Sequence, residues 1–162
     1  MTIKIAISRC LLGDNVRYDG TSKKCNEISQ YINTIYEVIP YCPEVAIGLE
    51  TPRLPMRLDF IDGDIRARQI RDPSEEYTEL LKEYAFKFKH QHPDLRAVIT
   101  KKGSPSCGHL SSKLFLKDDV INTEASGIFI AQLAKLMPDL MIIDELGFTN
   151  KWTRTEFLKL LK

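Results

Sequence analysis

Hydrophobic positions along the chain change period several times, and each change marks an element. Ile3, Ile5 and Ile7 enclose Ala6, a run too apolar for a half-exposed strand, which predicts a buried first strand. Ile28, Tyr31, Ile32 and Ile35 recur at helical spacing, and Tyr36-Glu37-Val38-Ile39 reads as a second strand. Four prolines (Pro40, Pro43, Pro52 and Pro55) then predict a rigid loop rather than a helix or a central strand. Arg57–Ile61 and Asp64–Arg68 flank Asp62-Gly63, a hairpin signal. Asp72-Pro73-Ser74-Glu75 has the form of a capping box with proline at the first helical position. It predicts a helix that puts Tyr77, Leu80, Leu81, Tyr84 and Phe88 on one face. Arg96–Thr100 is the next strand and runs into Gly103-Ser104-Pro105-Ser106-Cys107-Gly108. A helix through Ala125, Ile128, Phe129 and Leu133 leads to a last core strand, Leu140–Ile143. A second capping box, Thr153–Glu156, opens a helix with Phe157, Leu158 and Leu161.

Strand and helix alternate with one hairpin inserted, which implies right-handed crossovers and a mostly parallel sheet. The predicted fold is an α/β, Rossmann-like three-layer sandwich spanning residues 1–162 as one domain. With 43% hydrophobic and 28% charged residues, the composition is that of a globular chain and excludes wholesale disorder. The 23 Lys and Arg against 22 Asp and Glu leave +1, so no overall field recruits nucleic acid or an anionic membrane. No apolar run approaches the ~20 residues of a spanning helix, and Met1–Ile7 is too short for a signal peptide. These features predict a soluble cytoplasmic protein.

The four cysteines carry the candidate chemistry. Cys10 follows the first strand, Cys42 the second, and Cys107 the strand at 96–100. In an open parallel sheet the carboxyl ends of the strands share one edge, where ligand sites form. The three thiols are therefore candidates to converge on one metal, whereas Cys25 falls on no strand end. Thiolates select zinc or an iron–sulfur cluster over oxygen-loving metals, and residue chemistry alone leaves the two undecided. Three protein ligands leave one position open, the arrangement of a catalytic site.

Cys10-Leu11-Leu12-Gly13, Val16-Arg17-Tyr18-Asp19-Gly20, Cys42-Pro43-Glu44, Gly48-Leu49, Pro52-Arg53 and Ser104-Pro105-Ser106-Cys107-Gly108 occur in that order. Together they resemble the motifs of the thiouracil desulfidase family, and the resemblance runs from about residue 3 to residue 147. It implies a 4Fe-4S cluster held by Cys10, Cys42 and Cys107, with the fourth iron open to sulfur. It also implies a non-redox reaction in which a thiolated pyrimidine and water give the oxo-pyrimidine and sulfide. Such chemistry needs an acid/base group and donors for the ring. Glu44 and Ser104 are the candidate catalytic residues, and Arg17, Tyr18 and Ser106 the candidate substrate contacts; Asp19 and Arg53 read rather as loop braces. The sequence departs from the family pattern at Arg9, where a small residue is usual and a cation alters the expected pocket charge. It departs again at Val120–Glu124, where a Gly-rich turn is usual. Two other readings use the same residues: a zinc-dependent hydrolase on the three thiolates, and a non-catalytic iron–sulfur module for redox sensing or partner binding.

Overall fold

A computed structural model describes residues 2–162. In chain order it contains β1 (Ile3–Ser8), a 3-10 turn (Arg9–Leu12), α1 (Asn26–Tyr31), β2 (Tyr36–Tyr41), α2 (Pro43–Ala46), β3 (Met56–Ile61) and β4 (Asp64–Gln69). There follow α3 (Thr78–Gln91), β5 (Ala97–Thr100), β6 (Ser112–Leu116), β7 (Asp119–Ala125), α4 (Ile128–Leu136), β8 (Met141–Asp144), α5 (Glu145–Thr149) and α6 (Lys151–Leu161).

β1, β2, β5 and β8 form a parallel sheet in the order β2-β1-β5-β8, as the alternation of elements requires. Both faces are covered. Ile5, Ile7, Ala97 and Ile99 pack against Ile28 of α1, Phe148 of α5 and Phe157 and Leu161 of α6. Ala6 and Val98, on the opposite face, join Leu81, Ala85 and Phe88 of α3 and Phe129, Ile130 and Leu133 of α4. Burial on both sides explains why β1 is nearly unbroken in its apolar run. Among the described residues no helix is long and apolar enough to cross a membrane.

The Asp62-Gly63 hairpin forms as expected, with both turn residues at positive φ (50° and 80°), the geometry for which such a pair is suited. It is joined by a hairpin the sequence reading did not anticipate, β6–β7. The two make a second sheet in the order β4-β3-β6-β7. β7 was hard to see because six of its seven residues are exposed, so no buried face imposes a period of two. Ala125 ends β7 rather than entering α4.

Three boundaries differ from expectation for local reasons. Pro40 and Tyr41 extend β2, which tolerates proline because it is an edge strand, and Pro43 starts a short helix where its missing N–H costs nothing. Asp72 does not cap a helix: its carboxylate accepts from the Ser74 amide and hydroxyl, closing a turn, while Glu76 bridges to Arg68 and prolongs β4. α3 consequently begins at Thr78, and Leu80 lies on its exposed side. α6 is capped by Asn150, whose side chain accepts from the Trp152 and Thr153 amides, so Thr153 sits inside the first turn.

Candidate active site

Three adjacent parallel strands end at the same edge, and each delivers a cysteine. Cys10 lies in the 3-10 turn after β1, Cys42 follows β2, and Cys107 lies in the loop after β5. All three line one cavity of about 170 Å³ together with Ser8, Arg17, Tyr18, Glu44, Arg53, Lys101, Ser104 and Ser106. That volume is below the roughly 300–1,000 Å³ of drug-sized sites, so the cavity suits a compact group. Cys25 is placed elsewhere. It precedes α1 and is buried in the core beneath α1 and α6, with its thiol 3.5 Å from the Glu27 carboxylate.

The loops are held firmly. The Tyr41 hydroxyl donates to Thr100 Oγ1 at 3.0 Å, and the Thr100 hydroxyl donates to the Cys107 carbonyl. The first amides of α4 complete the grip: Gly127 N donates to Gly108 O, Ile128 N to Pro105 O and Ile130 N to Ser106 O. Glycine is needed at 127, because a Cβ there would run into the backbone of Ser106 and Cys107. Ser104 Oγ accepts from the Ser106 and Cys107 amides at 3.2 and 3.1 Å, closing the turn that presents the third thiol.

Glu44 enters from the first turn of α2, two residues beyond Cys42. Arg53 Nε donates to its Oε1 at 2.9 Å and the Ser106 hydroxyl to its Oε2 at 2.9 Å. Ser106 is 1% exposed and its one proton goes to Glu44, so the Ser104 hydroxyl is the donor in the 3.0 Å contact between the serines. The direction of donation therefore runs Ser104 to Ser106 to Glu44. Two of the four lone-pair positions of Glu44 are filled, which leaves capacity for a water or a proton. Arg53 is as well enclosed as its partner, with side chains 8% and 13% exposed, and also donates to Val16 O, Glu50 O and Thr51 Oγ1. It braces the pocket, as its sequence context suggested, and at the same time holds the carboxylate.

Arg17 and Tyr18 stand at the partly exposed mouth, where Arg17 Nη1 donates to Thr21 and lies 3.8 Å from Asp19. Asp19 accepts from the Thr21 amide and hydroxyl and does not line the cavity. Arg9 corrects an expectation. It turns outward to Asp14 at 2.9 Å and stays off the pocket wall, so it leaves the pocket lining unchanged. Val120–Glu124, the other departure, lie in β7 and likewise do not line it.

Three polar wall residues, Ser8, Lys101 and Lys102, escaped the sequence reading. Ser8 is the last residue of β1, with its hydroxyl 3.5 Å from Cys10 Sγ. A polar residue closing an otherwise buried apolar strand was the available signal. Lys101 follows β5 and is fixed by Glu145, at 2.6 Å, beside the thiols.

Burial pushes the Cys10 thiol up to about 11, against the pull of the Ser8 hydroxyl, and burial likewise raises Cys42. Without a metal these thiols stay protonated at neutral pH; a soft Lewis acid is what makes thiolates of them. Among the described residues no three His, Cys, Asp or Glu side chains are grouped to hold a single ion. Three thiols round one cavity are soft donors of the kind an iron–sulfur cluster takes, and among the described residues the fourth cysteine, Cys25, lies apart from them. The residues fit an iron–sulfur cluster.

The family model described as 2-thiouracil desulfurase matches residues 5–145. The fold is similar to a solved structure described as a [4Fe-4S]-dependent thiouracil desulfidase, TudS. The TM-score is 0.72 at 26% identity, over 99% of this chain and 98% of that one. No curated protein matches the sequence significantly.

Proposed function

The chain belongs to the 2-thiouracil desulfurase family, and from that premise we propose that it removes sulfur from thiolated pyrimidines by a non-redox, cluster-dependent hydrolysis. The observation that carries this reading is the arrival of Cys10, Cys42 and Cys107 from three neighbouring strand ends at one cavity that also holds a hydrogen-bonded carboxylate. The net reaction is thiouracil plus water to uracil plus hydrogen sulfide.

Cys10, Cys42 and Cys107 are the proposed ligands of a 4Fe-4S cluster, which supplies an iron without a protein ligand as Lewis acid for the departing sulfur. Glu44 is the proposed acid/base: its free lone pairs take a proton from the attacking water and return it to the product. Arg53 and Ser106 keep the carboxylate oriented while that happens. Ser106 is thereby assigned a positioning role in place of the substrate contact its sequence position suggested. Ser104 keeps its place on the wall beside Cys107, where it supports Ser106. Arg17 and Tyr18, at the mouth, are the proposed contacts for the ring edge away from sulfur. Four free thiols suit the reducing cytoplasm, and residues 1–162 act here as one domain whose core reaches both sheets.

The test is protein purified without air. A brown sample with about four irons per chain that releases sulfide from thiouracil supports the reading. A colourless sample carrying stoichiometric zinc overturns it in favour of a zinc hydrolase, and a brown sample inert on every thiopyrimidine leaves a non-catalytic iron–sulfur module.

A further inference from the structure

We propose that Ser8 is a positioning residue for the metal centre, its hydroxyl donating to the Cys10 thiolate and so holding that ligand and setting how readily the centre gives up an electron. This rests on the cluster reading above and deepens it.

Ser8 is 4% exposed, lines the cavity, and lies 3.5 Å from Cys10 Sγ, a suitable separation for a hydrogen bond to the large sulfur atom. Among the described residues no other hydrogen-bond partner is found for its hydroxyl. A buried hydroxyl is expected to satisfy its donor, and here sulfur is the acceptor at hand. While Cys10 is a thiol, either atom can donate. Ligation removes the thiol proton, and from then on only Ser8 can donate.

The neighbourhood makes this contact distinctive. Among the described residues Cys42 and Cys107 have no side-chain hydroxyl on their sulfurs; the Cys107 turn uses its serines on backbone amides and on Glu44. Strand geometry fixes the contact as well. Ser8 pairs with Tyr41 at the last step of the β1–β2 ladder, so its backbone cannot drift from the turn that carries Cys10.

A donor to a ligand sulfur withdraws electron density and favours the more reduced centre, so it raises the potential. The proposed hydrolysis consumes no electrons. The effect of Ser8 therefore falls on the persistence of the centre: removing the donor eases its oxidation in air, while turnover has no electron to gain or lose.

The experiment compares wild-type holoenzyme with Ser8→Ala and Ser8→Thr, all loaded without air. Iron content, midpoint potential by spectroelectrochemical titration and the rate of bleaching in air are read. The expected result is a more negative potential and faster bleaching for Ser8→Ala, with Ser8→Thr returning toward wild type because it keeps the hydroxyl. Loss of iron by Ser8→Ala but not by Ser8→Thr supports the ligand-holding part of the proposal. A loaded Ser8→Ala with wild-type potential and bleaching rate overturns the proposal, as does equal loss of iron in both variants. Wild-type protein that never takes up iron overturns the cluster reading itself, an outcome separate from the other two.

Discussion

The Ser106 hydroxyl donates to Glu44 Oε2 at 2.9 Å, joining segments 62 residues apart in sequence. One segment carries the second thiol and the other the third, so a single hydrogen bond aligns the proposed acid/base with two of the proposed ligands. With Arg53 on the other oxygen, the carboxylate is fixed from both sides before any substrate arrives. Such preorganisation is what an acid/base group needs to act without reorganising at the moment of reaction.

Glu44→Gln keeps the shape and removes proton transfer. The variant should bind iron as the wild type does, with the same absorption spectrum, and lose about 10²–10⁴-fold in sulfide release. Turnover at the wild-type rate would reduce Glu44 to a structural residue of α2. Activity and iron content measured on one preparation separate the two cases.

Metal content distinguishes the cysteines. Cys10→Ser, Cys42→Ser and Cys107→Ser each replace a soft thiolate by a hard hydroxyl at the shared cavity, and each should purify with little iron. Cys25→Ser should keep iron and activity, at a stability cost of about 1–3 kcal/mol for placing a hydroxyl in that core. Equal iron loss from Cys25→Ser would reassign the ligand set. Stripping iron from the wild type with a chelator should abolish sulfide release, and anaerobic reconstitution should restore it.

Much of this was legible because the apolar periods of β1, β5, α3 and β8 all serve one buried sheet. Once the strands are ordered, the addresses of Cys10, Cys42 and Cys107 follow from the rule that parallel strands end at one edge. What could not be read depends on contacts distant in sequence. β7 has no buried alternation to betray the β6–β7 hairpin, and the Asp72 turn satisfies the same residue pattern as a helix cap. The partner of Ser106 is set by how two segments meet, which no local pattern encodes.

Asp19 belongs to the Val16–Gly20 motif but lies off the cavity wall and is held for structure. Donation from the Thr21 hydroxyl, chiefly, holds its carboxyl below the usual value of 3.8, with the Thr21 amide and Arg17 adding to it. A depressed folded value means the contribution is present above the unfolded value and lost as pH falls through the folded one. Asp19→Asn should therefore retain iron and sulfide release. Its deficit in unfolding midpoint against wild type should be steady at neutral pH and close only at pH values below 3.8. A deficit that closes well above that value would contradict the assignment, as would a large loss of activity.

The hydroxyls of Tyr41 and Thr100 form a buried relay to the Cys107 carbonyl, and the two ends of the relay differ in what their removal leaves behind. Tyr41→Phe deletes the first donor and leaves Thr100 bonded to Cys107, a loss of about 1 kcal/mol. Thr100→Val keeps the shape but strands two groups: the Tyr41 hydroxyl, in a side chain only 1% exposed, and the Cys107 carbonyl. Each unsatisfied group costs about 1–3 kcal/mol, so the valine variant should be clearly less stable in urea than the phenylalanine one. The same order should appear at the metal. Thr100 is the link between the end of β5 and the third ligand, so Thr100→Val should surrender iron to a chelator faster than Tyr41→Phe, and Tyr41→Phe little faster than wild type. If both variants lose stability and iron equally, the relay does not hold the Cys107 loop and that task falls to the amides of α4.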